Sequence, residues 1–296
     1  MILITGASGF IGKHLVKSCL DEYGAKSVLV LSTQPVRDCA FLLYKQYDFD
    51  PDYFIRSGYS NIETIIHAGA ATPKSNSQIN DWEKYNSNIS FTEKLLKADL
   101  PNLKKFIYLS TLDIYGQDEI ITEQSAIAPI SLYGESKLYC EKMIAAWAIA
   151  KGKIFQILRI GHTYGPGEEV YQKIIPETFK RIVANESPKM WGTGNEIRTF
   201  IYIKDVVQAI LKSITLNENV GPINIVGERQ IVIRDLILKM ISISGRNLGI
   251  EVVPSQNPGR NLIFNNQKMR KLLIISETSI DQGLSEEWEY MQQVNA

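Results

Sequence analysis

The sequence has few of the residues that carry metal or disulfide chemistry. Its 296 residues include three histidines and three cysteines, Cys19, Cys39 and Cys140. The cysteines are scattered, odd in number and lack metal-ligand spacing, which predicts reduced thiols and no metal site. Net charge is lacking too, because 32 basic residues balance 32 acidic ones. This balance disfavours nucleic acid or a charged membrane surface as a partner.

Long apolar runs are also missing. No stretch of the sequence is long enough to cross a bilayer, and the amino terminus has neither the basic region nor the long apolar segment of a signal peptide. We therefore expect a cytoplasmic protein with no membrane partner. With 45% hydrophobic residues, a chain of this length can bury a large core in one or two domains.

What the sequence does have is a glycine-rich turn near its start. Gly6, Gly9 and Gly12 follow a short apolar run, and apolar residues recur at helical spacing from Phe10 onwards. The pattern predicts a strand that runs into a helix, whose N–H groups would form an anion site suited to a pyrophosphate. The Gly-x-x-Gly-x-x-Gly spacing is one residue longer at its first step than the common dinucleotide fingerprint. A purely structural strand-to-helix connection is the alternative.

A second group of residues lies far downstream. Tyr133 and Lys137 are four residues apart in a segment with helical periodicity, so they share one helix face. We expect the ammonium to lower the pKa of the phenol towards the range of an acid/base catalyst. Upstream, an apolar strand ends in Ser110 and Thr111, whose hydroxyls would face the crevice of a doubly wound sheet. An ordinary surface pair of Tyr133 and Lys137 is the alternative.

With these residues the chain resembles the extended short-chain dehydrogenase/reductase family, the NAD-dependent epimerase/dehydratase group that acts on nucleotide sugars. The resemblance covers nearly the whole chain. Its marks, in chain order, are Thr5-Gly6-x-x-Gly9-x-x-Gly12, His67-Ala68-Gly69-Ala70, Asn88 with Thr92, Ser110-Thr111 leading to Tyr115-Gly116, Tyr133-x-x-x-Lys137, Leu158-Arg159, Tyr164-Gly165-Pro166-Gly167, and Arg198-Thr199-Phe200-Ile201-Tyr202-Ile203-Lys204-Asp205.

The resemblance implies an α/β fold, a Rossmann doubly wound parallel sheet with a smaller α/β substrate domain. We expect the dinucleotide-binding domain over residues 1–168, with roughly 198–228 returning to it, and mainly the substrate-binding domain over 169–296. The resemblance also implies a homodimer through the helices after Trp82 and after Leu132. The end departs from the family, because the usual tryptophan-x-proline is absent between Leu272 and Thr278.

The resemblance further implies a nicotinamide cofactor along the glycine turn. About twenty residues past Gly12, where an NAD-binding fingerprint has an acid, the sequence has Ser32, and the nearest cation is Arg37. NADP(H) is therefore slightly favoured over NAD(H), although Arg37 as a solvated loop cation is the alternative. The segment from Tyr47 to Pro51 resembles the family's third strand. The expected cofactor contacts are Gly6, Ser8, Gly9, Phe10, Ile11, Gly12, Ser32, Arg37, Asp48, Phe49, Ala68, Gly69, Ala70, Asn88, Tyr133 and Lys137.

The same resemblance implies that the catalytic residues are Thr111, Tyr133 and Lys137. Tyr133 would donate a proton to a sugar carbonyl, Thr111 would bond the same oxygen, and Lys137 would hold the nicotinamide ribose and polarise Tyr133. His67 is expected to be a packing residue. The expected substrate contacts are Thr72, Thr111, His162, Trp191, Arg198 and Arg260, with a packed histidine and ordinary surface arginines as the alternatives.

The pair Leu112-Asp113 separates the reaction types. Dehydrating members of the family follow the hydroxyl residue with an acid/base pair, and Leu112 cannot transfer a proton, so 4,6-dehydration is disfavoured. We expect NAD(P)-dependent reduction of a nucleoside-diphosphate 4-keto-6-deoxyhexose, as in O-antigen polysaccharide synthesis, because the chain is short, Ser32 replaces the acid and His162 resembles certain 4-ketoreductases. The alternatives are a 4-epimerase with tightly bound NAD and, less favoured, a non-catalytic NAD(P) sensor.

Overall fold

The strands and helices follow the predicted alternation closely in the first two thirds of the chain. The structure is a computed structural model and describes residues 1–45, 48–116, 118–255, 259–273 and 277–295. The strands are β1 Ile2–Thr5, β2 Val28–Ser32, β3 Ala40–Leu43, β4 Thr64–His67, β5 Lys105–Thr111, β6 Ile120–Ile121, β7 Ile154–Ile160, β8 Thr163–Tyr164, β9 Lys189–Trp191, β10 Ile197–Thr199, β11 Ile201–Tyr202, β12 Ile223–Ile225, β13 Gln230–Val232, β14 Glu251–Val253 and β15 Ile263–Phe264. The helices are α1 Phe10–Tyr23, α2 Tyr53–Arg56, α3 Trp82–Lys97, α4 Leu132–Lys151, α5 Ile174–Val183, α6 Ile203–Ile214, α7 Ile233–Ser244, α8 Gln267–Leu272 and α9 Ile280–Val294, with short 3-10 turns at Ala25–Ser27, Asn76–Gln78 and Leu112–Ile114.

Seven strands of the described chain form one parallel sheet in the order β12-β7-β5-β4-β1-β2-β3. Both faces of the sheet are covered, because successive residues of a strand point to opposite sides. Ile4 belongs to a core with helices α1 and α6, whereas Leu3 belongs to a core with α3 and α4. The fold is therefore the expected doubly wound α/β sheet of Rossmann type.

The strand order of the sheet reverses at β1, and this reversal fixes where a ligand binds. Strands β2 and β3 follow on one side of β1, and β4, β5, β7 and β12 follow on the other. Thr5 at the end of β1 lies opposite His67 at the end of β4. Ligands of open α/β sheets bind at the carboxyl ends of the strands where the order reverses. The glycine turn after Thr5 lies at this point.

The later elements build a second layer beside the crevice. Helices α5, α7 and α9 pack on one another, and Phe179 of α5 lies 5.5 Å from Trp288 of α9. Small two-stranded pairs, β10 with β13 and β14 with β9, accompany them. The division into a dinucleotide domain and a substrate domain at residue 168 stays a prediction.

The third strand is the one element predicted in the wrong place. It was expected at Tyr47–Pro51, but the edge strand is Ala40–Leu43, and Asp48 and Phe49 lie in an irregular segment after it. Tyr47 lies outside the described residues. An edge strand shows weak alternation, here half-buried and exposed in turn, and the Asp-Phe-Asp-Pro signal marks the loop that follows it.

None of the described helices combines the length and apolar character that a membrane crossing needs. Across the described residues, no group of three or more histidine, cysteine, aspartate or glutamate side chains is placed to hold a metal ion.

A buried ion pair joins β7 to α4. The guanidinium of Arg159 donates to both carboxylate oxygens of Glu141, at 3.1 and 2.8 Å, and to the hydroxyl of Tyr115 at 2.7 Å. Both side chains of the pair are less than a tenth exposed. A buried pair of this kind adds little over apolar packing, but either partner alone is costly because its charge is left without compensation.

We predict that Glu141→Ala lowers the free energy of unfolding by about 3 to 5 kcal/mol, because it leaves the Arg159 charge buried and unpaired. Urea denaturation measures the change. The control is Glu93→Ala, which removes the exposed pair of Glu93 with Lys97 on α3 and should cost less than about 1 kcal/mol. Equal effects of the two variants would contradict the account of the buried pair.

A second buried acidic residue, Glu287, makes the stability of the protein depend on pH. Glu287 on α9 is fully buried and lies near Glu168 and Glu169. Burial, and then the charges of these two neighbours, raise the pKa of Glu287 to about 8. Because the folded protein holds a proton that the unfolded chain releases above its ordinary pKa, stability falls as the pH rises from about 4.5 to about 8.

We predict that Glu287→Gln, which keeps the shape of the neutral acid, stabilises the protein at pH 8 and changes its stability little at pH 5. The expected gain at pH 8 is about 4 kcal/mol, from a shift of the pKa from 4.5 to about 8. Thermal unfolding at the two pH values measures it. A gain that is the same at both pH values would show that the Glu287 proton is not linked to folding.

Candidate active site

The glycine turn brings three backbone segments into close contact. Gly6 has φ +76°, and a Cβ atom there would lie 2.6 Å from the backbone of Ala68 and Gly69. A Cβ on Gly12 would lie 2.0 Å from the carbonyl oxygen of Gly6. Gly9 caps α1 without a side chain, so the first N–H groups of the helix are accessible to an anion. These contacts fit a dinucleotide pyrophosphate.

A cavity of about 470 Å³ extends from this turn to the end of β5. It is lined by predicted cofactor and catalytic residues, namely Gly6, Ser8, Gly9, Phe10, Ile11, Gly12, Ala68, Gly69, Ala70, Thr72, Thr111, Tyr133, Lys137 and His162. The structure therefore brings most of the predicted site residues, more than a hundred positions apart in the sequence, to one cleft.

Helix α4 delivers Tyr133 and Lys137 to this cleft. Ser131 is the N-cap residue of this helix, and its hydroxyl accepts a hydrogen bond from the Gly134 amide at 3.1 Å. Its first turn packs so closely on the 3-10 turn after β5 that a Cβ on Gly134 would lie 2.5 Å from the Asp113 carbonyl oxygen. The phenol of Tyr133 and the hydroxyl of Thr111 are thereby held on facing elements.

Lys137 lies beneath the cleft floor. Its side chain is 2% exposed, its ammonium donates to the Leu109 carbonyl oxygen at 2.5 Å, and it lies 4.2 Å from the centre of the Tyr108 ring. Burial lowers the pKa of Lys137 to about 8, because the charged form loses its hydration.

The expected effect of Lys137 on Tyr133 is wrong for this arrangement. The pKa of Tyr133 is raised, first by burial and then by the charge of Asp113, and only a hydrogen bond with Thr111 opposes the shift. The ammonium is committed to Leu109 and Tyr108, so the i,i+4 spacing places it on the right face without directing it to the phenol. Tyr133 is consequently held in its neutral, proton-donating form.

Thr111 donates its proton to Asp113. The distance from Thr111 Oγ1 to Asp113 Oδ2 is 3.0 Å, and the Asp113 amide donates back to Thr111 Oγ1 at 3.2 Å. Thr111 is the residue expected to bond a sugar oxygen. Asp113 lies in the same cavity, with its side chain accessible from the cleft, and desolvation by the surrounding protein raises its pKa.

Behind the cleft a hydrogen-bond network joins the cofactor strands to α3 and α4. His67 is buried between the hydroxyls of Thr5 at 2.7 Å and Thr92 at 3.1 Å, and burial holds its pKa well below the usual range. Asn88 bonds both backbone groups of Ala71 and the hydroxyl of Ser136. His67 therefore packs and orients, as expected, and Asn88 supports the cleft wall from behind.

The adenosine side of the expected site is spread out. Ser32 is buried at the end of β2, where its hydroxyl accepts from the Gln34 amide at 3.2 Å, and Arg37 is exposed in the loop beyond. Asp48 is exposed, whereas Phe49 is buried against the rings of Tyr44 and Phe91. Of these four predicted cofactor contacts, two are buried and two are exposed. Phe49 supports the cleft wall and does not face solvent.

Three of the expected substrate residues, His162, Trp191 and Arg198, line a second, adjoining cavity of about 910 Å³, and His162 also lines the first. Thr72 and Thr111 line the first cavity. Trp191 is 60% exposed. Arg198 donates to the backbone oxygen of Arg260, so the two arginines lie side by side. Burial, and then Lys173 and Arg198, lower the pKa of His162 to about 4; it is therefore neutral at pH 7. The hydroxyl of Thr72 bonds that of Tyr171 at 3.3 Å.

Lys173, Tyr171 and Tyr44 also line the cofactor cavity but were not singled out from the sequence. Lys173 pairs with the buried Glu168 at 2.9 Å and contributes to both cavities. Tyr44 stacks on Phe91 at 5.1 Å. These three residues are hard to recognise in the sequence, because single residues in loops show no periodicity. The run Lys173-Ile174-Ile175-Pro176 at the start of α5 is the feature that could have indicated Lys173.

We predict that Gly134→Ala, which would drive a methyl group into the Asp113 carbonyl oxygen, separates α4 from the turn that carries Thr111 and Asp113. The expected cost is about 1 to 3 kcal/mol of stability and at least a tenfold loss of kcat, measured by urea denaturation and turnover. Gly249→Ala is the control, because a Cβ there has no neighbour within 4 Å. Full activity of Gly134→Ala would contradict the close packing described.

A glycine turn at the switch point of a parallel sheet, with a threonine, a tyrosine and a buried lysine in the same cleft, defines a nicotinamide-dependent enzyme of the α/β class. The model of the NAD dependent epimerase/dehydratase family matches residues 2–226. The chain belongs to this family of enzymes, as the sequence resemblance predicted.

Among the curated relatives is the trifunctional UDP-glucose 4,6-dehydratase/UDP-4-keto-6-deoxy-D-glucose 3,5-epimerase/UDP-4-keto-L-rhamnose-reductase of Arabidopsis thaliana, 25% identical over 99% of this chain. The chain spans only 47% of that protein. The dTDP-glucose 4,6-dehydratase of Mycolicibacterium smegmatis is 26% identical over 72% of this chain and 68% of its own length. The chain thus spans about half to two thirds of these curated relatives.

Among solved structures, the UDP-glucuronic acid 4-epimerase of Bacillus cereus, in complex with UDP-glucuronic acid and NAD, is 26% identical with a TM-score of 0.83. Each chain covers 99% of the other. The UDP-glucose 4-epimerase of Thermotoga maritima, 23% identical with a TM-score of 0.83, covers the whole chain and shares its fold.

Proposed function

We propose that this protein is a nucleoside-diphosphate-sugar 4-epimerase that works with NAD(H). The proposal depends chiefly on one observation, that Thr111, Tyr133 and the buried Lys137 lie in the same cleft as the glycine turn. It is supported by full-length similarity to a UDP-sugar 4-epimerase with bound NAD. The chain's own residues supply the acid/base and binding groups that such a reaction needs.

The glycine turn at Gly6, Gly9 and Gly12 would hold the nicotinamide dinucleotide, which would supply hydride transfer at the sugar C4. Tyr133 is neutral in the free protein, so it would have to lose its proton before it can take the proton of the C4 hydroxyl; it would then return that proton to the ketone oxygen. Lys137, whose pKa is lowered by burial, lines the cavity and would hold the cofactor ribose, while its ammonium is directed to Leu109 and not to Tyr133. Arg198 and Arg260 lie side by side and suit the diphosphate, because guanidinium groups pair phosphate oxygens.

Elimination of water is not part of this proposal. It requires a proton donor and acceptor beside the reacting hydroxyl, and Leu112, where dehydrating relatives carry an acid, is buried among Ile114, Leu138 and Val226. Among the described residues that line the cofactor cavity, Asp113 is the only one with a carboxylate. We therefore take the sequence similarity to dehydratases as a sign of shared family membership and not of a shared reaction.

A 4-ketoreductase is the second candidate, because β2 ends in Ser32 without the carboxylate typical of NAD-binding fingerprints and exposed Arg37 follows. NADP(H) would fit that pair as well as NAD(H). Consumption of NADPH with a nucleoside-diphosphate 4-keto-6-deoxyhexose would favour it, whereas NAD retained through purification favours the epimerase. A homodimer through α3 and α4 and a cytoplasmic location stay predictions.

We predict that Tyr133→Phe lowers kcat at least about 100-fold while the cofactor still binds, because only the transferable proton is lost. Turnover of UDP-hexoses and dTDP-hexoses at C4, followed by NMR, measures the effect. Tyr139→Phe is the matched control, since Tyr139 lies on the same helix and is 56% exposed. An unchanged rate in Tyr133→Phe would contradict the role of Tyr133 in proton transfer, and dinucleotide binding without any turnover by the unaltered protein would support a non-catalytic dinucleotide sensor instead.

A further inference from the structure

The end of the cleft at which the sugar reacts carries one carboxylate. Asp113 lies in the cavity with Thr111 and Tyr133, and its orientation is fixed at two points. Its Oδ2 atom accepts the Thr111 proton at 3.0 Å, and its amide donates to the Thr111 oxygen at 3.2 Å. The carbonyl oxygen of Asp113 packs against Gly134. The carboxylate is therefore held beside the Thr111 hydroxyl, in the cavity that Tyr133 also lines.

The charges around Asp113 leave it a carboxylate without an ion pair. In the described parts of the chain, no cation lies within 4 Å of it. Lys173 and Arg260 act on it from a distance, and Tyr133 and Tyr85 are the other titratable groups that face it. Lys173 is committed to Glu168 at 2.9 Å, and Arg260 lies on the diphosphate side with Arg198.

A carboxylate in this position discriminates between the groups next to C4. If Tyr133 holds the C4 oxygen, the substituents on C3 and C5 are the nearest parts of the sugar. A hydroxyl or an amine there can donate to Asp113, whereas a carboxylate on C5 is repelled by the like charge. The preference is one of charge and hydrogen bonding, not of size.

We propose that Asp113 is a specificity-determining residue, which restricts the substrate to nucleoside-diphosphate sugars with a hydroxyl or amino group, and not a carboxylate, beside C4. The inference rests on the proposed function, since it takes Tyr133 as the group that holds the C4 oxygen. It goes further, because it excludes uronic acids as substrates.

The test compares sugars that differ only at C6. Binding of UDP-glucose and UDP-glucuronic acid, and of the corresponding dTDP pair, is measured by calorimetry with the NAD-loaded protein. We expect the hexose to bind at least tenfold more tightly than the uronic acid at pH 8. Asp113→Asn should bring the ratio below threefold, mainly by tightening the uronic acid. The control Asp52→Asn, an exposed aspartate before α2, should leave the ratio unchanged.

A pH series on the unaltered protein gives a second, independent readout. A lower pH should narrow the ratio, because desolvation raises the pKa of Asp113 above its ordinary value and a protonated acid does not repel a carboxylate. Lys137, with a pKa of about 8, lines the same cavity and titrates in both proteins, so the ratio should narrow more in the unaltered protein than in Asp113→Asn. Equal binding of both sugars by the unaltered protein, or a ratio that survives Asp113→Asn, would overturn the inference. If neither sugar of either pair binds, the proposed function fails and the inference fails with it.

Discussion

The burial of Lys137 is the interaction on which the geometry of the site depends. An ammonium removed from water is costly unless its protons find acceptors, and here the Leu109 carbonyl and the face of the Tyr108 ring supply them. Both partners belong to β5, so the lysine ties α4 to the centre of the sheet. Tyr133, one turn before Lys137, and Thr111, two residues after Leu109, are placed by the same contact.

The walls of the cleft are held from behind by neutral groups. The buried imidazole of His67 bonds Thr5 on one strand and Thr92 on α3, and the Asn88 amide bonds Ala71 and Ser136. These bonds join the glycine turn, α3 and α4 without placing a charge beside the cofactor cavity, since the pKa of His67 is far below neutrality. Preorganised polar groups of this kind keep catalytic side chains in position.

The sequence was informative where a residue type is dictated by backbone geometry or periodicity. The glycine spacing predicted a strand that runs into a helix, which is observed as β1 and α1, and the spacing of Tyr133 and Lys137 predicted a shared face of one helix, which is α4. Prediction failed where contacts between residues that are distant in the sequence determine the position of a strand or a pKa. The edge strand β3 has too little burial to show a pattern, and the pKa of Tyr133 depends on burial and on Asp113, which spacing along a helix does not reveal.

The central claim is hydride transfer at C4 without loss of water, and one labelling experiment tests it directly. The protein is incubated with UDP-glucose and, separately, dTDP-glucose that carry deuterium at C4, and the products are analysed by NMR. We expect deuterium to remain at C4 in a product whose C4 configuration is inverted and whose C6 hydroxyl is intact. Deuterium at C6 of a 4-keto-6-deoxy product would contradict the account, because it would show that the enzyme eliminates water.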